Sequence, residues 1–283
     1  DQILLHMVPT SIIEAMATGD VLQIVVFSMV FAIGLGMVND KAKKPMLEWC
    51  ESLTEAMFKV TNIVMLYAPF GVGAAMAATI GQSGLQVLWN LGYLVITLYV
   101  ALIVFFVLVL VPVMMMFKIP IAGFLKAIKE PALIAFSTTS SEAALPRAME
   151  CVEAFGVPRR IVSFILPLGY SFNLDGSTLY LSLAAVFVAQ AANVDLTIGQ
   201  QVTMLLTLML TSKGVAGVPR AALVILAATL ASYNLPLEGI TLILGVDAIM
   251  DMGRTMTNVI GNCLASVVVA KWEGEFKPGV EAA

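Results

Sequence analysis

Apolar residues come in long blocks along this chain, and polar residues arrive in short bursts between the blocks and inside them. The longest block, Leu91 to Phe117, carries no charged side chain. It exceeds the roughly 20 helical residues that cross a hydrocarbon core of about 30 Å. The pattern predicts a short, mildly amphipathic helix over Val8 to Gly19. A spanning helix follows from Val21 to Val38, capped by Asp20 and stopped by Asn39 and Asp40. A second long helix is expected from Pro45 to Ala78, kinked at Pro69 because proline removes a backbone donor and clashes with the preceding turn. The third, over 88–117, is the most apolar.

Beyond Lys118 the apolar segments are interrupted by Ser, Thr, Gly, Asn and Pro, at depths where unsatisfied backbone is tolerated only inside protein or beside a water-filled cavity. The burst from Ser137 to Ser141 divides 121–156 into two arms and predicts a re-entrant helical hairpin. A second burst, Asn173 to Ser177, breaks a helix over 158–192, and Gly176 is expected to let the backbone unwind there. The glycine-rich run from Lys213 to Pro219 divides a second hairpin, 198–232, and a polar helix follows over 237–272. Hairpin then helix occurs twice with opposite entry sides. Paired broken segments in two inverted halves are the sign of a secondary transporter with its site near the membrane midplane. The fold class is thus an all-α membrane protein, a multi-span helical bundle with two re-entrant hairpins and broken helices in inverted repeats.

Composition agrees: 60% of the 283 residues are hydrophobic and 12% charged, outside the range of soluble domains. The basic residues cluster at Lys41, Lys43 and Lys44, at Lys118, Lys126 and Lys129, at Arg159 and Arg160, and at Lys271 and Lys277. The linkers Gly81 to Gln86, Ala192 to Gly199 and Ser232 to Gly239 have none, so the basic linkers are read as cytoplasmic. Lys213 and Arg220 beside the second tip are read as topology signals or interfacial snorkelling groups. Three cysteines, Cys50, Cys151 and Cys263, have no metal-ligand spacing and an odd count, and are read as buried small hydrophobes. Asp1 to Asp20 lacks the pattern of a signal peptide. Nothing points to nucleic acid.

Candidate chemistry concentrates on the last helix. At 100° per residue, Asp247, Asp251, Arg254, Asn258 and Asn262 fall within an arc of about 80°. An ionisable side chain at bilayer depth costs on the order of 2.5 to 3.5 kcal/mol on insertion scales, so such groups face a cavity and each other. They could simply neutralise one another within a bundle, but the neighbouring broken segments are better explained by a ligand site. Arg254 suits a carboxylate, because its planar guanidinium matches two oxygens. Asp251, nearly one turn earlier, would hold a cationic group, so an acidic amino acid fits better than a plain dicarboxylate. Free backbone N–H groups and carbonyls at the half-helix ends would attract anions and Na+ respectively. Asp175 is either a cation ligand or proton carrier, or a helix-capping aspartate beside Gly176.

Together, Ser137 to Glu142, Ser171 to Ser177, Gly214 to Pro219 and the polar positions from Asp247 to Asn262 resemble the dicarboxylate/amino acid:cation symporters, the glutamate transporter family. The likeness is greatest to bacterial proton or sodium glutamate carriers. The resemblance covers essentially the whole chain. It implies an elevator transporter in the cell inner (plasma) membrane, multi-pass and homotrimeric, with no organic cofactor and with Na+ and/or H+ as coupling ion. Residues 1–84 would be scaffold helices of a partial trimerisation domain, 85–272 the transport domain and 273–283 a cytoplasmic tail. By position, Arg254 would bind the substrate side-chain carboxylate, Asp251 its amino group, and Asn258 with Ser140 and Ser141 its main-chain carboxylate. Ser177, Val218 and Thr255 complete the implied substrate set. Gly169, Asn173, Asp175, Asn258 and Asn262 are the implied sodium ligands, and Gly214, Gly217 and Pro219 belong to the implied external gate.

The chain departs from the family at Asn262, where sodium-coupled members usually have aspartate, and at Leu174, where methionine is usual. Arg220 and Ala222 replace glycines, and neither Thr139 nor Met252 supplies the second arginine of many relatives. Family members are longer, so the resemblance implies a sequence truncated at its N-terminus. Three rivals compete with an acidic amino acid symporter. A C4-dicarboxylate carrier would lack an acidic residue at the position of Asp251. An intramembrane aspartyl protease would need Tyr-Asp and Gly-x-Gly-Asp pairs, whereas Asp175 follows Leu174 and Asp247 follows Val246. A channel has no need for a paired Asp251 and Arg254.

Overall fold

The computed structural model describes residues 10–18, 21–84, 86–212, 221–233, 235–237 and 239–277, and within them the regular elements are all helices. The helices are α1 (Ile12–Thr18), α2 (Val21–Met37), α3 (Asp40–Met65), α4 (Ala68–Ser83), α5 (Gln86–Phe105), α6 (Val111–Met116), α7 (Ile121–Thr138), α8 (Ser141–Phe155), α9 (Arg159–Phe172), α10 (Asp175–Ala191), α11 (Ile198–Thr211), α12 (Ala221–Ser232), α13 (Gly239–Leu244) and α14 (Asp247–Trp272).

Helix boundaries differ from the sequence reading in three places, each with a local cause. The Asn39 side chain accepts the Ala42 N–H at 3.1 Å, and Lys43 and Lys44 pair with Asp40 and Glu48 one turn away. The lysine cluster therefore lies within the first turns of α3 rather than in a linker. The expected kink at Pro69 is a full break at Leu66 and Tyr67. Pro69 sits in the first turn of α4, where its missing N–H leaves no bond unmade. The expected single helix over 237–272 is α13, a turn at Gly245 and Val246, and then α14, which opens on Asp247 at its positive end.

α5 and α6 are continuous through a π-turn at Phe106–Leu110, immediately before Pro112. The wider turn accommodates a residue that cannot donate to the ladder. Together they form Leu88–Met116, a stretch of 29 residues long and apolar enough to cross a bilayer. Its Ile96, Val100, Ile103 and Leu108 are exposed, while Asp247, Asp251, Arg254 and Asn262 are buried. Apolar outside and charged inside is the inverse of a water-soluble globule, and it places the hydrocarbon around the protein.

Two apolar cores flank that polar interior. One joins α7, α8 and α9 to the C-terminal half of α14 through Phe124, Phe155, Val162, Leu166, Val259 and Val267. The other joins α5, α10, α11 and α12 to the start of α14 through Leu98, Leu181, Val188, Leu208, Leu226 and Met250. α14 is common to both, and the break between α9 and α10 falls where the cores meet. α7 and α8 pack along each other and on α14. Their tip is Thr139, in the left-handed region at φ 54°, followed by extended Ser140. Ser137, Thr138 and Ser141, read from sequence as part of the tip, are helical.

At one end of the bundle the basic residues converge. Lys271 Nζ donates to the Lys118 carbonyl at 2.7 Å, and Arg160 pairs with Glu275. Lys277 N–H donates to the Gly156 carbonyl at 3.0 Å. Three of the four basic clusters thus share a side, as the charge pattern predicts. Cys151 and Cys263 are buried as expected, whereas Cys50 is only half-buried.

Candidate functional site

The site is built on one face of α14. Asp247, Asp251, Arg254, Asn258 and Asn262 are all buried, so the polar stripe read from helical spacing faces inward. Arg254 Nε donates to Asp251 Oδ1 at 2.7 Å, and Thr255 Oγ1 donates to the same oxygen at 2.9 Å. Arg254 Nη1 lies 3.8 Å from Asp247 Oδ1, and that oxygen accepts the Tyr180 hydroxyl at 2.8 Å. The guanidinium carbon lies 4.2 Å from the centre of the Tyr180 ring, a cation–π arrangement. Two carboxylates and one aromatic face therefore hold a single guanidinium whose Nη1, buried, makes no hydrogen bond among the described residues.

The helix break supplies the second half of the site. Only Asn173 and Leu174 are non-helical; Gly176 lies inside α10. The expectation that Gly176 unwinds the backbone is corrected by its surroundings: a Cβ there would collide with the Arg254 carbonyl oxygen and lie 2.8 Å from the Arg254 Cα. Glycine is required for close helix approach rather than for flexibility. Asn258 Oδ1 accepts the Gly176 N–H at 2.8 Å, and Asn258 Nδ2 donates to Ser177 Oγ at 2.9 Å. Asn262 Nδ2 donates to the Asn173 carbonyl at 3.3 Å. Two carboxamides one turn apart on α14 thus serve the N-terminus of α10 and the C-terminus of α9.

Oxygen atoms gather at the same break. Asn262 Oδ1 is buried, has no hydrogen-bond partner among the described residues, and presses on Gly169, where a Cβ would overlap it. The Asp175 carboxylate lies 2.5 Å, and Asn173 Nδ2 3.4 Å, from the place a Cβ on Gly261 would occupy. Gly169, Asn173, Asp175 and Asn262 are therefore brought together around α14. Oxygen donors of this kind, carboxylate, carboxamide and backbone carbonyl, suit a hard cation. Among the described residues no group of three or more His, Cys, Asp or Glu could hold a metal ion.

The tip between α7 and α8 is less connected. Ser140 Oγ accepts the Ala143 N–H at 3.2 Å as the cap of α8, and the Ser140 N–H donates to Thr138 Oγ1 at 3.2 Å. Among the described residues the hydrogen bonds of Ser140 stay within the tip. Gly214, Gly217, Val218 and Pro219 lie outside the described residues. Tyr180 was not among the residues singled out from sequence. Its signal was available: it follows Ser177 by three positions and shares that face of α10.

Apolar-surfaced helices, one pair interrupted, around a buried charged seam define a helical membrane protein. The chain belongs to the sodium:dicarboxylate symporter family, whose sequence model matches residues 1–272. It is 46% identical over 271 residues to a proton/sodium-glutamate symport protein of Bacillus caldotenax, covering 96% of this chain and 64% of that protein. It is 47% identical over 273 residues to a proton/glutamate-aspartate symporter of Escherichia coli (strain K12), covering 96% of this chain and 62% of the relative. A C4-dicarboxylate transport protein of Bacillus subtilis (strain 168) is 42% identical over 272 residues, with 96% of this chain and 64% of that protein covered. The chain thus spans less than two thirds of the length of each of these relatives.

Proposed function

We propose that the complete protein is a cation-coupled symporter of acidic amino acids, L-glutamate or L-aspartate. It works as a multi-pass homotrimer of the inner (plasma) membrane by elevator-type alternating access. The observation that carries the reading is the buried Arg254, held by Asp251 on one nitrogen and with an Nη1 that pairs with Asp247 at 3.8 Å but makes no hydrogen bond among the described residues. A substrate carboxylate takes that guanidinium in parallel charge-assisted bonds, and the substrate ammonium takes Asp251. The internal pair is exchanged for two pairs with the ligand, so neither charge is left buried without a partner.

Cation coupling follows from the same charges. Asp247 and Asp251 outnumber Arg254, and an acidic amino acid adds one more negative charge. Burying that excess requires a cation, and the oxygens around Gly169, Asn173, Asp175, Asn258 and Asn262 are where Na+ would bind. With Asn262 neutral, protons can substitute at Asp175. In this reading Ser140, Ser141, Ser177, Val218 and Thr255 complete the substrate site, and the segment of Gly214, Gly217 and Pro219 is the external gate. Residues 85–272 form the transport domain, residues 1–84 belong to the scaffold, and residues 273–283 form a cytoplasmic tail.

The names of the relatives support both glutamate/aspartate and C4-dicarboxylate substrates. Asp251, a buried carboxylate beside Arg254 that can take an ammonium group, favours the amino acid. The test is uptake of labelled L-aspartate, L-glutamate and succinate by the complete protein in proteoliposomes, under an inward sodium gradient and separately an inward proton gradient. Amino acid uptake resistant to excess succinate and abolished by Arg254→Ala supports the proposal. Preferred succinate uptake overturns the role of Asp251.

A further inference from the structure

The turn of α14 that carries Asp251 and Arg254 is gripped from both sides. On the polar side, the Gly176 backbone of α10 rests on the Arg254 backbone. On the opposite side, Tyr99 of α5 donates its hydroxyl proton to the Ile249 carbonyl at 2.8 Å. The Tyr99 ring also lies against Gly253: a Cβ on that glycine would sit 3.0 Å from Tyr99 Cζ and 3.1 Å from both Tyr99 Cε1 and Leu102 Cδ1. At 100° per residue Ile249 and Gly253 lie roughly 100–160° around the helix from Asp251 and Arg254, on a different face, so Tyr99 acts on the site through the helix.

The Ile249 carbonyl is the helical acceptor for the Gly253 N–H, and the Tyr99 hydroxyl occupies its second lone pair. One side chain thus fixes both ends of the turn that begins at Ile249 and ends at Gly253, with Asp251 at its middle and Arg254 next in sequence. A small rotation of this turn would change the distance between the Asp251 carboxylate and the guanidinium, the distance a zwitterionic ligand must match.

The geometry points to Tyr99 as a positioning residue that sets the rotation of α14, and through it the spacing between Asp251 and Arg254. This inference rests on the proposed acidic amino acid site. Tyr99 touches no ligand. Its contribution is read in affinity and in discrimination between ligands with and without an ammonium group.

The experiment uses the complete protein in proteoliposomes and compares wild type, Tyr99→Phe, Gly253→Ala and the double variant for L-aspartate uptake and for inhibition by succinate. Tyr99→Phe keeps the ring and removes the hydroxyl. Its KM for L-aspartate is expected to rise about 2- to 12-fold, the range of one net hydrogen bond, with maximal rate per folded protein kept within about 2-fold. The ratio of succinate to aspartate affinity rises, and the effects of Tyr99→Phe and Gly253→Ala are non-additive because both act on one turn. Unchanged KM and unchanged ratio in Tyr99→Phe, with wild-type uptake intact, overturn the inference alone. Equal loss of folded protein and rate with KM unchanged also overturns it, reducing Tyr99 to a packing residue. Absence of aspartate uptake by the wild type overturns instead the reading of the site.

Discussion

Asn258 accepts the backbone N–H of Gly176 at 2.8 Å, across 82 residues of sequence, and provides α10 with the cap its own sequence lacks. Leu174 at the N-cap position has no polar side chain, so the first turn of α10 would otherwise point bare donors into a buried seam. The same carboxamide donates to Ser177 Oγ, so both of its ends are committed to α10.

Replacing Asn258 by alanine therefore leaves buried donors unsatisfied and is expected to destabilise the protein by about 1–3 kcal/mol. Asn258→Asp, which keeps an acceptor, should fall between wild type and alanine. Thermal unfolding of the complete protein in detergent checks this; equal midpoints for all three would remove the capping role.

Glycine positions separate into tight and open ones. Gly176→Ala drives a methyl group into the Arg254 main chain and is expected to abolish folded protein or uptake, whereas Gly92→Ala, with nothing within 4 Å, should be neutral. Gly169→Ala meets only the Asn262 side chain, which can turn aside. Its expected effect is a raised cation requirement with the fold retained, measured as uptake against sodium or proton concentration.

Arg254→Ala strands Asp247 and Asp251 in a buried seam, a loss on the order of 3–5 kcal/mol when one partner of a buried pair is removed. Combining Arg254→Gln with Asp251→Asn removes charge from both sides of that pair and is expected to recover part of the folded yield, Asp247 staying charged, without recovering uptake. Size-exclusion yield and uptake, measured side by side, distinguish the two effects. Recovery of uptake in the double variant would mean that the pair serves structure alone.

Asn262→Asp places a carboxylate against Gly169 beside the helix break. The expected outcome is a lower sodium concentration for half-maximal uptake, by about 3-fold or more if the added charge strengthens binding by roughly 0.7 kcal/mol or more. Sodium titration of uptake at fixed pH is the measurement. Unchanged sodium dependence would separate Asn262 from the cation.

The helical periodicity of the last segment was legible in the sequence because burying charge in a bilayer permits few arrangements, and a five-residue stripe satisfies one of them. The breaks at Asn173 and at the tip around Thr139 were legible for the same reason. The exact helical state of their neighbours was not: Gly176 is helical because Asn258 caps it from another helix, and nothing local reports a partner so distant. Tyr180 and Tyr99 escaped notice because an aromatic residue in an apolar run reads as packing until a polar partner is seen across the bundle. The helical start at Asp40 was within reach, since Asn39 carries an ordinary capping side chain.

α14 runs through both apolar cores and closes both ends of the interrupted helix, and it is synthesised after every element it completes. During translation, Gly169, Asn173 and Gly176 must wait inside or beside the bilayer without their carboxamide partners. The bundle therefore has the character of a keyed lock: α7 to α12 can insert and pair in provisional form, but the charged seam acquires its final register only when the last helix slides between them. Nascent chains that have emerged from the ribosome only as far as residue 246 should accordingly be protease-sensitive, and chains that have emerged beyond residue 272 resistant.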